Sequence, residues 1–432
     1  RFPARFEWLQ RQLNLDPARL PVSGCAPLDR TLTVLRPESV ALVYPAAFMN
    51  GPASAFGHTL LVVDGAGRNR LLSRAISYAA RTDTRFGPLF TFAGIFGWFP
   101  GYYAFQPYYE KTQQYGDLGN RDVWEYELDL QPAEIDRLLR HAWELQSIYA
   151  RYFFFDENCS FNLLYLLDVA RPSLRLTARM PGFVIPIDTV RWVDQRGLIR
   201  QATYRPSPVT EIRRRAERLE APALQLALDL ARGGAEPAAV AAAGSESVQR
   251  DILDLSADYL KYLLAEEQTD RAAYRPRLLG LLRARSVLGK GDPLDVPVPA
   301  RPDRGHGPLR WSAGGGVRQG EPFGSLRWRL AYHALDDHDD GFTPGAQIQF
   351  LNTEWRWAEG GDGDGLQRLD LVDVFSVAPR DALFAPDAWK VRFGLERDPV
   401  ERDAWPAGVN TGAGRAARTL GADLAWASVE AE

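Results

Sequence analysis

Cysteine is nearly absent from this chain, which carries only Cys25 and Cys159 among its 432 residues. Two thiols cannot make a disulfide scaffold. An excess of one charge is missing too: the net charge is −4, with Lys and Arg scattered, which leaves no electrostatic case for a nucleic-acid partner. Long apolar runs are also lacking. The nearest one, residues 86–109, has no charged side chain, but Pro88, Pro100, Pro107, Gly87, Gly94, Gly97 and Gly101 break it. Those breakers exclude a spanning helix and leave an apolar aromatic loop. No repeat of solenoid length occurs. The chain opens at Arg1 without a Met or a signal segment, so its start does not reveal a compartment.

What is present suits a folded protein, with 46% hydrophobic and 25% charged residues. The length accommodates several domains of roughly 100–200 residues. Within residues 1–172, strand-like runs at 40–44 (VALVY), 58–63 (HTLLVV) and 71–78 surround a DGAG turn signal at 64–67. Residues 123–130 (VWEYELDL) alternate as a half-buried strand, and Pro132 stands where a helix accepts proline, in its first turn. A further helix is expected from Cys159 to the stop at Pro172. Residues 173–300 read as a mainly helical connecting segment, with an Ala/Gly-rich interval at 233–244 and a Pro-rich end at 293–302.

Residues 301–432 change character. Leu326, Trp328 and Leu330 alternate with Arg327 and Arg329, and Trp355 and Trp357 alternate with Glu354 and Arg356. About six antiparallel strands with one aromatic face suggest a partial barrel, apolar outside and polar inside, short of the roughly eight strands of the smallest outer-membrane barrels. The strand-like run at 422–432 reaches the last residue, so an incomplete barrel is expected. The whole reads as α+β.

The chemistry centres on Cys159 and His58. Cys159 follows Asn158 at a helix start, where free backbone N–H groups and the helix dipole favour thiolate and can hold an oxyanion. His58 follows Gly57 at a strand start, and a base within reach of a thiol is what nucleophilic catalysis requires. If the hairpin loop spans 64–69, His58 lies opposite Ala75, and Ser77 on the same face is the candidate that orients the imidazole.

A strand His followed downstream by an Asn-Cys pair resembles the circularly permuted papain-like superfamily, including the relatives of lecithin–retinol acyltransferase. More closely, residues 5–170 resemble the Lnb N-terminal periplasmic domain of bacterial lipoprotein N-acyltransferases. The matching segments are FEWL (6–9), SAFGHTL (54–60), FAGIFGWFPGY (92–102), residues 108–115, RDVWEYEL (121–128) and FFDENCSFNL (154–163). The later β region is similar to the C-terminal extension of proteobacterial members. The resemblance implies a periplasm-facing envelope protein, associated with the outer membrane, that needs no cofactor. Cys159 would take an acyl chain from a phospholipid, with His58 as base, and pass it to an amine such as a lipoprotein N-terminus. Asn158 would stand at the substrate, Arg121 would hold a phosphate, and Trp98, Tyr102 and Tyr108 would seat the chain or meet the membrane surface.

Two other functions fit parts of the same pattern. A Cys–His amidase or peptidase on cell-wall peptides would use the same pair, although the uncharged stretch at 86–109 suits lipid better than a polar groove. A non-enzymatic outer-membrane barrel with a periplasmic binding domain would not need Cys159. Plainer roles also stand beside the catalytic ones: a buried inert Cys159, a Cys25–Cys159 disulfide, an Arg121–Asp122 ion pair. The cluster at 336–340 (DDHDD) reads as a solvated hairpin loop, and no metal is assigned to it.

Overall fold

The computed structural model describes residues 2–16, 18, 24–46, 57–68, 73–82, 93–110, 121–179, 182–318, 320–358, 364–397, 406–418 and 424–431. Two units emerge, one formed by Arg1–Ala46 with Gly57–Val298 and one built on Pro299–Glu432.

Among the described residues the first unit has seven strands: β1 (Pro37–Pro45), β2 (Leu60–Gly65), β3 (Arg74–Ala80), β4 (Phe99–Pro107), β5 (Val123–Leu128), β6 (Tyr149–Tyr152) and β7 (Ile199–Arg205). They form one antiparallel sheet in the order β6-β4-β3-β2-β1-β5-β7. The VALVY and LLVV runs become the buried strands at its centre, where both faces are covered.

Helices α1 (Pro3–Gln12) and α2 (Ala26–Leu35) precede the sheet; α3 (Pro132–Leu145), α4 (Cys159–Ala170) and α5 (Pro186–Gln195) follow β5. The start of α3 is set by a reciprocal Gln131–Glu134 capping box with Pro132 inside the first turn, and it buries Ile135, Leu138, Leu139 and Ala142. Apolar almost all round, α4 is accordingly enclosed, packed on β2, β3, α3 and α5.

Beyond residue 172 the expected helices are present as α5, α6 (Pro208–Ala216), α7 (Ala221–Arg232), α8 (Glu246–Ala265) and α9 (Arg271–Ser286). The region is more than a connector, because β7 pairs with β5 and completes the sheet. Asp122 holds that junction, accepting from Tyr204 Oη at 2.8 Å, Ser207 N at 2.8 Å and Thr210 Oγ1 at 2.7 Å. Among the described residues no helix is long and apolar enough to cross a membrane.

Seven further strands make up the second unit: β8 (Arg310–Arg318), β9 (Glu321–His333), β10 (Ala346–Ala358), β11 (Gly365–Ser376), β12 (Ala388–Glu396), β13 (Ala407–Arg418) and β14 (Leu424–Ala431). They pair in sequence order as an antiparallel meander that begins at β8 and ends at β14, a sheet that is not closed into a barrel. Its two faces invert the usual soluble pattern. Asp370 is fully buried and accepts from Arg368 Nε at 2.6 Å and Arg392 Nε at 2.7 Å, while Trp311, Trp355, Trp357 and Phe393 are exposed.

Candidate active site

The site begins with a helix cap. Asn158 Oδ1 accepts from the backbone N–H groups of Ser160 and Phe161, both at 3.1 Å, and from Ser160 Oγ at 2.8 Å. Its Nδ2 donates to Phe154 O at 3.1 Å and Val184 O at 2.7 Å. This is the hydrogen-bonding that makes Asn a preferred N-cap. It also corrects the substrate-binding role expected of Asn158, since the buried amide is already spent on backbone. Asn158 positions the helix on which Cys159 is the first residue.

Cys159 is 4% exposed and its thiol is free. Cys25, at the N-cap of α2, is also a free thiol, so the alternative disulfide is not formed. Burial, the larger effect, pushes the Cys159 thiol up, and hydrogen bonds from Thr59 N–H, Tyr152 Oη and Ser160 N–H pull it partly back. The depressed pKa expected from the helix start therefore loses to desolvation. Two of the N–H groups that could have held an oxyanion are already occupied by Asn158. Cys159 N–H instead points to Tyr152 Oη at 3.3 Å.

Tyr152 ends β6 and is the residue that sequence reasoning missed. Its hydroxyl accepts from Cys159 N–H and donates to Sγ. Desolvation lifts the phenol well above its ordinary value, so it stays a neutral donor. The ring stacks on Tyr78 with centroids 5.7 Å apart and meets Phe154 edge-on at 6.0 Å. Tyr78, pushed up to about 12 chiefly by burial, lies 4.9 Å from the ring of Tyr103, which donates to Asn162 O at 2.8 Å. One signal was available: Tyr152 carries the only polar atom in the aromatic run 152–155 immediately before the Asn-Cys pair.

His58 lies just ahead of β2, which starts at Leu60 rather than at the histidine. Gly57 takes φ +80°, and a Cβ there would lie 2.9 Å from the ring of Tyr44, so both the turn and the close approach require glycine. The next backbone N–H, that of Thr59, reaches Cys159 Sγ, which brings the His58 segment beside the thiol.

Ser77 is elsewhere. The β2–β3 register pairs Leu61 with Ile76 and Val62 with Ala75, four residues from the alignment expected of a loop at 64–69. Tyr78 faces Tyr152 and α4, so its neighbour Ser77 points to the opposite face, where Ala75 packs with Leu60 and Val62. Its buried Oγ makes no hydrogen bond to any described residue, His58 included, so Ser77 does not orient the imidazole.

The remaining expected contacts do not converge on one point. Much of the apolar stretch is strand, β4, and residues 86–92 lie outside the described residues. Tyr102 is in β4, under the guanidinium of Arg81 at 4.5 Å, whereas Tyr108 follows the strand and packs on the Ala41–Leu60 core. Six residues of extended chain separate these tyrosines by roughly 20 Å. Arg121 is buried at the entry to β5. Trp98 is 62% exposed beside the half-exposed Phe96, and lines a cleft with Tyr149 and Arg151.

A second, larger cavity of about 490 Å³ opens beside that cleft, lined by Trp8, Tyr78, Tyr103, Leu145, Ile148, Tyr149, Tyr165 and Val169 among others. Its polar lining is largely engaged: Tyr103 with Asn162, and Asp168 with Leu176 N at 2.8 Å and Thr177. The volume is that of a small-ligand pocket; Tyr78 in its lining stacks on Tyr152, whose hydroxyl meets Cys159 N–H, while neither Cys159 nor His58 lines it. Among the described residues, the one gathering of three His, Cys, Asp or Glu side chains lies in the second unit.

The fold and this site define an α+β domain with a buried, capped helix-start cysteine beside a histidine-bearing strand entry. Residues 29–196 match the family described as the Lnb N-terminal periplasmic domain. Residues 202–297 and 299–432 match two domains of unknown function, DUF7842 and DUF7840. No curated protein and no solved structure matches the chain. The matched family is described as a periplasmic domain.

Proposed function

We propose that the first unit is a thiol acyltransferase that moves an acyl chain from a phospholipid ester through Cys159 to an amine, with a lipoprotein N-terminus as acceptor. The observation that carries this reading is the largely apolar and aromatic cavity linked to the thiol through the stacked Tyr78 and Tyr152 rings, a space that suits a hydrocarbon chain. Trp98, Phe96 and Tyr149 at the exposed rim suit a membrane surface, where amphipathic rings concentrate.

In the first half-reaction His58 accepts the thiol proton as Sγ attacks the ester carbonyl. A base is needed because the buried thiol is protonated at rest. The carbonyl oxygen becomes an oxyanion between Cys159 N–H and Tyr152 Oη, two groups 3.3 Å apart that can converge on one atom. The C–O bond then breaks and the lysophospholipid leaves with the proton from His58. In the second half-reaction the amine attacks the thioester as His58 takes its proton, Sγ departs and receives that proton from His58, and the amide forms. No step draws on a cofactor.

A membrane-seated second unit, and with it an outer-membrane location, belongs to the same proposal. It is supported by the exposed aromatic face of the open sheet and its buried charges on the other side. That pattern suits lipid outside and polar groups inside.

The test is intact mass spectrometry of the purified chain after incubation with phosphatidylethanolamine–phosphatidylglycerol vesicles. A fatty-acyl increment released by hydroxylamine and absent from Cys159→Ala is expected. A folded wild type with a reactive thiol but no adduct would overturn the lipid reading in favour of the amidase.

A further inference from the structure

The second unit contains a cluster that acyl transfer does not use. His306 follows the short turn Pro302–Arg304, His333 ends β9, and Asp337 stands in the β9–β10 connection. Asp337 was expected in a solvated loop, but its side chain is only 9% exposed and the loop folds inward around it. Gly341, at φ +80°, allows this: a Cβ there would lie 2.7 Å from Pro302 Cα, so the loop and the His306 segment meet at backbone contact.

We infer that His306, His333 and Asp337 form a binding site for a zinc-class dication. His306 Nε2 lies 2.9 Å from His333 Nδ1, and Asp337 Oδ2 is 3.7 Å from the first and 3.9 Å from the second. A triangle with those sides has a circumscribed radius of about 2.1 Å, so one point lies at zinc-bonding distance from all three atoms.

The outward nitrogens support the same reading. His306 Nδ1 is 2.7 Å from Gly307 O, which requires that nitrogen to donate and leaves a lone pair on Nε2. His333 Nε2 turns to Asp339 Oδ1 at 3.5 Å, which favours the proton there and a lone pair on Nδ1. Two lone pairs then face each other at 2.9 Å, and an electrophile is needed between them. Outward donation to a carbonyl and a carboxylate is how metal-binding histidines are held in the ligating tautomer.

Phe342 stacks on both rings, at 4.2 and 4.4 Å, and shields the cluster. His306 keeps 24% of its side chain exposed, enough for an ion to enter, and a water completes the fourth position. Two contacts oppose the metal: Arg329 Nη1 holds the same Oδ2 at 2.6 Å, and Ala334 N–H donates to it at 2.9 Å. Arg310 holds Oδ1 at 2.6 Å, so the carboxylate stays oriented when Arg329 yields.

The test is calorimetric titration of the EDTA-stripped full chain with zinc chloride. One equivalent is expected to bind; His306→Ala and His333→Ala each weaken binding at least about tenfold, and Arg329→Met strengthens it. His338→Ala, in the same loop but exposed, leaves it unchanged. Should a histidine variant unfold, zinc-edge absorption on the wild type still decides, since two imidazoles in the coordination shell are required. A folded wild type that takes up no zinc, His306→Ala that binds like wild type, or a shell without imidazole would overturn the site and leave a shared proton between the rings.

Discussion

Replacing Tyr152 by Phe isolates one hydroxyl. The ring stack on Tyr78 and the edge contact with Phe154 survive, while Cys159 N–H loses its acceptor and Sγ loses a donor. The cost to stability is that of one buried N–H without a partner, about 1–3 kcal/mol. The cost to catalysis is different in kind, because a lost oxyanion donor lowers the chemical step by roughly 10²–10³-fold. The thiol also loses a group that lowers its pKa, so alkylation at fixed pH slows. Single-turnover S-acylation on vesicles, followed by quenched mass spectrometry beside urea unfolding, separates the two effects. A fall in acylation far beyond any loss of stability is expected. If Tyr152→Phe acylates within about threefold of wild type, the hydroxyl is no oxyanion donor and the site geometry has been misjudged.

Asn158→Ala removes the α4 cap, worth about 1 kcal/mol, and strands the buried Val184 and Phe154 carbonyls at about 1–3 kcal/mol more. Urea unfolding is expected to register the sum, whereas a change in acylation without loss of stability would return Asn158 to the substrate. Because burial raises the Cys159 pKa, its alkylation by iodoacetamide should still be climbing above the ordinary thiol range, since only the thiolate reacts. A rate already level below pH 7 would contradict that direction and indicate a preformed thiolate.

Local features were legible from residue order. Alternation located β5, the apolar runs located β1 and β2, Pro132 marked the entry to α3, and Asn158 marked the start of α4. Each depends on forces acting within a few residues: side-chain period, caps and proline geometry. The change of character near residue 301 was equally visible, because a sheet with one apolar face imprints its period of two on the chain.

Partnership was not legible. Ser77 was placed beside His58 on the assumption that the strand begins at the histidine, whereas β2 begins at Leu60 and its register with β3 lies four residues from the one expected. The aromatic stretch that reads as a loop is in part the strand β4. Sequence alone therefore located β1, β2, β5, α3 and α4 and showed that Cys159 opens one of the helices, but it did not show β4, which was read as a loop, or β7, which lay in a segment read as helical. Only the tertiary structure decided that burial outweighs the helix dipole at its thiol, that Tyr152 stands against it, and that His306 meets His333. Those outcomes depend on desolvation and on contacts between distant segments, which no local pattern encodes.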